Sequence, residues 1–256
     1  MNRFARIGTF RRRLLDRQPL VGTFLKTPSA AVTEILGLSG LDCLCVDAEH
    51  APFDRAALDA VLLAARAYDL PSLVRVADAA PASLLTALDL GATGVIVPHV
   101  DSAAAAVVIA RGCRYGPEGR GYAGSTRAAG YTTRKMSDIL AEANRSVCVV
   151  AQIEDAAALP EIEAIAAVDG IDCLFIGRMD LTVSLGAESP DDAVVVDAVR
   201  RICAAGRRHG RCVGMFALTT AEVTRWRIEG ASFFLLGSDQ QWILQGAREL
   251  AAALRA

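Results

Sequence analysis

Two acidic residues raise the first chemical question. Glu154 and Asp180 each stand just past a short apolar run, Val147–Ile153 and Cys173–Ile176. Two carboxylates plus water are a usual protein contribution to Mg²⁺ or Mn²⁺, ions that keep exchangeable positions for substrate oxygens. Taken singly, each acid better suits a helix N-cap or first turn. Together, at neighbouring strand ends and with Arg75 and His50 on the same rim, they favour a metal site. His50 follows Asp47 by three residues, a spacing at which a carboxylate can orient an imidazole as a general base working near neutral pH. Arg75 in a strand interior needs an anion beside it, either a substrate oxygen or a salt bridge to Asp47 or Glu154. The run Gly177-Arg178-Met179-Asp180 turns straight into a helical pattern, where backbone N–H groups suit a substrate carboxylate. His99 has two readings, lining the pocket or filling space beneath the Gly-rich segment, and His209 reads as surface.

These residues need a scaffold that brings strand ends together. Eight short runs, apolar on both faces, alternate with helical patterns: Val21–Leu25, Asp42–Val46, Ser72–Val76, Gly94–Pro98, Val147–Ile153, Cys173–Ile176, Cys212–Phe216 and Ser232–Leu236. Segments such as Ala56–Tyr68, Ala82–Leu90 and Ala193–Arg208 carry apolar residues at spacings of three and four. Eight such units predict a single (β/α)8 TIM barrel over residues 1–256, with its active site at the C-terminal ends of the strands. The N-terminal stretch Met1–Arg17, with Phe4, Ile7, Phe10 and Leu14 in register, predicts a helix across the barrel floor; its composition also allows a mitochondrial presequence. Two insertions break the rhythm, 113–135 and 185–192. A long loop inside a compact domain is usually functional.

Composition narrows the class. Of 256 residues, 53% are hydrophobic and 5% aromatic, which suits an aliphatic barrel core. The net charge of −2 offers no field for nucleic acid or an anionic membrane surface. No apolar run approaches the roughly 20 residues of a membrane helix, and none resembles a signal peptide. The seven cysteines lack C-x-x-C spacing and fall largely in strand runs, so a reducing, cytoplasmic protein without disulfides or a zinc cluster is expected.

The segment Cys45-Val46-Asp47-Ala48-Glu49-His50-Ala51-Pro52, then Val74-Arg75-Val76 and Leu88-Asp89-Leu90-Gly91-Ala92, resembles the HpcH/HpaI aldolase family in order and spacing. The likeness continues through Gln152-Ile153-Glu154 and Gly170–Gly177 to Asp180-Leu181 and Ser184-Leu185-Gly186, roughly Val21 to Leu236. It implies a class II aldolase that reversibly cleaves a 4-hydroxy-2-oxo acid to pyruvate, or a related 2-oxo acid, and an aldehyde, using Mg²⁺, Mn²⁺ or Co²⁺. By the same resemblance Glu154 and Asp180 hold the metal, and Arg75 stabilises the enolate. His50 with Asp47 moves protons, Gln152 and residues Gly177 to Asp180 position substrate, and Asp89 supports a neighbouring subunit's site. It further implies a homohexamer, a trimer of dimers, with the C-terminal helix Ser238–Leu254 exchanged between subunits. Schiff-base chemistry is the rival, and of the two lysines, Lys26 and Lys135, only Lys26 is well placed for it.

Four features depart from the family pattern and are expected at the rim: Arg178 for a proline, His99 for a methionine, Lys26 for a small polar residue, and a shortened loop Arg114–Gly121. Arg178, Arg120, Arg127 and Lys26 together suggest an acidic or polyhydroxylated aldehyde. A CoA-ester lyase of the citrate-lyase-β type, an enolate-using decarboxylase or synthase, and a non-enzymatic binding barrel are the alternatives. The Asp47-Ala48-Glu49-His50 segment speaks against the first, and the complete set of chemical residues against the last.

Overall fold

The computed structural model describes residues 5–255. Its strands are β1 (Leu20–Leu25), β2 (Cys43–Asp47), β3 (Ser72–Arg75), β4 (Gly94–Val97), β5 (Cys148–Ile153), β6 (Cys173–Ile176), β7 (Cys212–Ala217) and β8 (Phe233–Ser238). They close in sequence order into one parallel barrel. The helices are α1 (Ala5–Leu15), α2 (Ala30–Gly37), α3 (Arg55–Ala67), α4 (Pro81–Asp89), α5 (Ala103–Gly112) and α6 (Met136–Ser146). After β5 follow α7 (Ala158–Ala167), α8 (Arg178–Ser184), α9 (Ala193–Arg208), α10 (Thr220–Ile228) and α11 (Asp239–Ala253). The expected (β/α)8 barrel is therefore observed, with strand limits moved by a residue or two.

The two-residue period of each strand sorts its side chains. Outward residues such as Val46, Val74, Val95 and Leu174 pack under the helices. Inward residues form a separate cluster that includes Cys43, Cys45, Leu73, Cys148, Val150, Phe175, Cys212 and Phe233. Small thiols alternate there with large rings, so the barrel interior is filled rather than open. Gly214 belongs to this fitting, because a Cβ there would lie 2.7 Å from the Phe233 ring and 3.0 Å from the Phe175 ring. All seven cysteines are free and buried, as expected of small hydrophobes.

Helix α1 covers the floor as its periodicity predicted. Phe10 and Leu14 are fully buried in the interior cluster, and Phe10 meets Phe233 edge-on at 6.4 Å between centroids. Phe4 of that pattern lies outside the described residues. Arg11 pins the helix by donating two hydrogen bonds to Asp172, at 2.9 and 2.7 Å. Phe10→Ala should destabilise the fold by about 3–5 kcal/mol, since the void opens beneath a closed barrel that cannot collapse into it. Denaturant unfolding measures this, and a cost under about 1 kcal/mol would remove α1 from the core.

The long insertion corrects an expectation. Residues 113–135 connect α5 to α6 and so lie at the N-terminal end of the barrel, away from the strand ends where catalysis is built. Arg114 approaches the floor residue Asp172. Arg127 contacts the Asp59 carboxylate at 2.8 Å and the carbonyls of Asp59 and Leu90. Arg120 stacks on Tyr115 at 4.1 Å. The loop is thus not at the rim, and neither Arg120 nor Arg127 reads the aldehyde in its own barrel. Chain direction decides this: a segment that follows the helix returning from β4, and leads through α6 into the start of β5, opens onto the floor.

Candidate active site

The C-terminal mouth is a cavity of about 440 Å³ whose lining includes Phe24, Lys26, His50, Arg75, Gln152, Gly177, Arg178, Met179, Asp180 and Glu222. The strand alternation explains the polar residues among them. Inward positions run Cys43, Cys45, Asp47 along β2, Leu73, Arg75 along β3, and Cys148, Val150, Gln152 along β5, with Glu154 next. Apolar residues fill the lower layers, and polar ones cap the last.

Asp47 and Arg75 are register partners on adjacent parallel strands, so their side chains leave the sheet side by side. Arg75 Nε and Nη2 donate to the two oxygens of Asp47 at 3.0 and 2.8 Å, a bidentate pair. Asp47 is fully buried and Arg75 8% exposed. Lys26 Nζ stands 3.2 Å from the same carboxylate, and the His50 backbone N–H donates to it at 3.2 Å. Burial pushes the Asp47 carboxyl up, but these donors and charges outweigh it and hold it below its ordinary 3.8. This corrects the reading that Asp47 orients the His50 imidazole. Asp47 grips the His50 backbone and fixes Arg75, whereas the His50 ring is exposed and lies 3.7 Å from Glu49. The i to i+3 spacing turns the chain back on the carboxylate, and the amide rather than the ring meets it.

Glu154 is 2% exposed and accepts from the His99 backbone N–H at 2.9 Å and from Gln152 Nε2. Beside it come Glu49, to which the sequence assigned no role, and His99, for which it left pocket lining and space filling open. One ligand atom from each of Glu49, His99 and Glu154 lies within 4.8 Å of the others. Burial, reinforced by the Glu154 charge, raises the Glu49 carboxyl above its ordinary value, although Arg75, His50 and His99 pull it down. His99 takes a left-handed backbone, φ +55°, which turns its ring to 3.0 Å from Asp155 and 3.5 Å from Glu154. The signal for both was local: Glu49 lies inside the acidic turn after β2, and His99 directly follows Pro98, the first residue past β4. His209 instead meets Glu163 at 3.0 Å on the outer shell.

Asp180 is exposed on the first turn of α8 and lines the same cavity, three residues beyond Gly177. Gly177 is where α8 and Glu154 come close. A Cβ there would sit 2.5 Å from Glu154 Oε2 and 2.7 Å from Glu154 Cβ. Gly177→Ala should therefore displace the carboxylate and lower turnover by about a hundredfold, the scale of a 1 Å misplacement. Steady-state kinetics on a folded variant would check this, and wild-type turnover would refute the close packing.

The residues present fit a divalent cation. The Gln152 Oε1 atom is buried without a hydrogen-bond partner among the described residues, Glu49 Oε2 meets the Arg75 guanidinium at 3.2 Å without a well-aligned hydrogen bond, and the Glu49 and Glu154 carboxylates converge beside them. Carboxylate, amide and imidazole donors suit Mg²⁺, Mn²⁺ or Co²⁺. Lys26 is ion-paired with buried Asp47, whereas imine-forming lysines are desolvated in apolar surroundings or crowded by other cations.

A closed parallel barrel with this acidic, arginine-anchored mouth is a (β/α)8 enzyme equipped to stabilise negative charge on a small substrate. Residues 20–245 match the model of the HpcH/HpaI aldolase/citrate lyase family, and the chain belongs to that family of lyases. It is 37% identical over 251 residues to a hydroxypyruvate/pyruvate aldolase of Paraburkholderia phytofirmans, covering 95% of this chain and 96% of that one. Identity is also 37%, over 254 residues, to a 4-hydroxy-2-oxovalerate aldolase of Rhodococcus jostii, with 96% and 95% covered. The crystal structure of an HpcH/HpaI aldolase/citrate lyase family protein from Burkholderia cenocepacia superposes with a TM-score of 0.92 at 36% identity, covering 97% and 100% of the two chains. The family is divalent-metal dependent.

Proposed function

We propose that the chain reversibly cleaves a 4-hydroxy-2-oxo acid into pyruvate, or a related 2-oxo acid, and an aldehyde. The observation that carries this is the convergence of Glu49, His99 and Glu154 beside a cavity lined by Arg75, Gln152, Gly177 and Asp180, with Glu49 in contact with Arg75 and Glu154 in contact with Gln152. A bound cation supplies Lewis-acid stabilisation of the negative charge that develops on the 2-oxo acid oxygens. Glu154 and Asp180 are its proposed holders, with Glu49 and His99 beside them.

The chain's own residues do the rest. Arg75, fixed by Asp47, presents its guanidinium to the oxo group and the enolate oxygen. Gln152 holds Glu154 in place through its amide. The Gly177 to Asp180 turn offers backbone N–H groups to the substrate carboxylate. His50, exposed at the mouth, takes the proton from the C4 hydroxyl on cleavage and returns it on synthesis, either directly or through water. Asp89, at the C-terminal end of α4 and so on the floor, serves a neighbouring subunit rather than its own cavity. Mg²⁺, Mn²⁺ and Co²⁺ are the proposed ions. A cytoplasmic location is supported by the free, buried cysteines.

A homohexamer is proposed on two surfaces. Helix α11 exposes Ile243, Leu244 and Leu250, and an apolar groove of about 460 Å³ runs between α2 and α11 past Val32, Ile35, Leu36 and Trp242. An exchanged α11 would cover both.

Deuterium exchange at C3 of pyruvate tests the chemistry without an aldehyde. Exchange should be lost with EDTA and restored by one of the three ions, and borohydride with pyruvate should leave Lys26 unmodified. Absence of exchange with every ion would refute the enolate reading, and a trapped Lys26 adduct would replace the metal with an imine.

A further inference from the structure

Three cations line the cavity, and each already faces a carboxylate of the protein. Lys26 and Arg75 share the buried Asp47, which holds Arg75 in place, and Arg75 also meets Glu49 at 3.2 Å. Arg178 is different. It stands on the first residue of α8, and its guanidinium forms an ion pair with Glu222 from the first turn of α10. Nothing in the proposed reaction uses Glu222.

The pair is built rather than incidental. Arg178 is 8% exposed, with its guanidinium carbon 5.7 Å from the centre of the buried Trp226 ring. Glu222 uses one oxygen for Arg178, and the other accepts from the Leu218 backbone N–H at 2.7 Å, so the segment after β7 fixes the carboxylate. Burial pushes the Glu222 carboxyl up, but the Leu218 N–H and Arg178 bring it below its ordinary 4.5, so it is anionic at neutral pH. Around the pair the cavity wall is apolar: Phe24, Met179, Phe216 and Leu218. An unpaired arginine here would draw any aldehyde that carries a carboxylate, because a charge-assisted bidentate contact in a partly dry cavity is strong. With Glu222 in place, an entering carboxylate meets a fixed negative charge and a guanidinium already engaged.

We propose that Glu222 masks Arg178 and so makes the cavity select uncharged aldehydes over aldehydes bearing a carboxylate. This rests on the aldolase reading above and reverses the expectation that the rim cations favour acidic partners. Selectivity here comes from a repulsive element as much as from an attractive one.

The test compares kcat/KM for pyruvate addition to succinic semialdehyde and to butanal, using Mn²⁺-loaded protein. The ratio within each variant is the readout, so a general loss of activity cancels. Wild type should favour butanal. Glu222→Gln keeps the side chain's shape and an acceptor for the Leu218 N–H, and should raise the ratio toward succinic semialdehyde by about tenfold, the strength of one charged contact. Adding Arg178→Met to that variant should remove the gain. Arg178→Met alone leaves Glu222 uncompensated and should push the ratio further toward butanal, which reads the same electrostatics should the glutamine variant fail to fold. An unmoved ratio in a folded variant, or a wild type that prefers succinic semialdehyde, would overturn the assignment. Pyruvate C3 exchange is followed in parallel: a wild type without it overturns the aldolase reading and this inference together, whereas exchange with an unmoved ratio overturns the inference alone.

Discussion

Glu154→Gln should lower aldol cleavage by about a thousandfold while leaving the melting temperature within a few degrees of wild type. The two halves of that expectation have separate causes. Replacing a carboxylate oxygen by an amide removes the charge that a cation needs and leaves Asp180 or Glu49 to hold it with weaker support. The fold tolerates the change because the partners of Glu154 are adaptable. The glutamine carbonyl can still accept from the His99 N–H, and Gln152, whose Oε1 has no hydrogen-bond partner among the described residues, can turn its amide to receive the new NH₂ group. Metal binding by calorimetry and kcat/KM against added Mn²⁺ would follow the first half, and thermal denaturation the second. Full activity with unchanged metal affinity would show that Glu154 is not a ligand. Asp180→Asn and Glu49→Gln, measured alongside, separate the two candidate partners: the true one should weaken metal affinity, and the bystander should not.

Asp47→Asn should be the most destabilising single change at the mouth, costing about 3 kcal/mol, or roughly 6–12 °C for a domain of this size. Asp47 is fully buried and is the shared anion of Arg75 and Lys26. Removing its charge leaves a nearly buried guanidinium without full compensation, which costs far more than the net value of the pair. Arg75 would also lose its fixed orientation, so turnover should fall with stability. The pH dependence follows from the same contacts. The native carboxyl binds its proton more weakly than the unfolded chain does, since its pKa is lowered from 3.8. Its contribution is therefore complete above that ordinary value and drains away as pH falls from about 4 through the lower native value. Melting curves from pH 7 to pH 3 should show a steep acid limb in wild type and a shallower one in the variant. Equal limbs would mean that Asp47 is not the carboxylate that sets acid stability.

Much of the site was readable along the chain because strand termini are local events. A run such as Cys43 to Val46 ends where polar residues begin, and a two-residue period assigns the inward face without knowledge of any neighbour. Asp47, Arg75, Gln152, Glu154 and Gly177 were accordingly found at the mouth by position alone. The family likeness added roles to these positions, and the same local rules placed Phe10 and Leu14 on the floor.

Closure and register decided what local rules left open. Asp47 could serve either His50, three residues on, or Arg75, on the next strand. Pairing β2 with β3 in parallel register set the guanidinium beside the carboxylate, while the turn after β2 carried the imidazole outward. Glu49 and His99 became neighbours of Glu154 because the barrel brings the ends of β2, β4 and β5 to one rim, with a left-handed residue at His99. Arg120 and Arg127, read in sequence as cations favouring an acidic aldehyde, went to the floor because their loop follows α5 and leads through α6 into β5 instead of leaving a strand. Arg178 met its counter-ion 44 residues away, a separation at which charge pattern carries no information about contact. The sequence by itself determined the barrel, its inward faces and the residue types at the mouth, since these depend on periodicity. Which carboxylate each cation faces depends on distances between strands, and only the tertiary structure decided that.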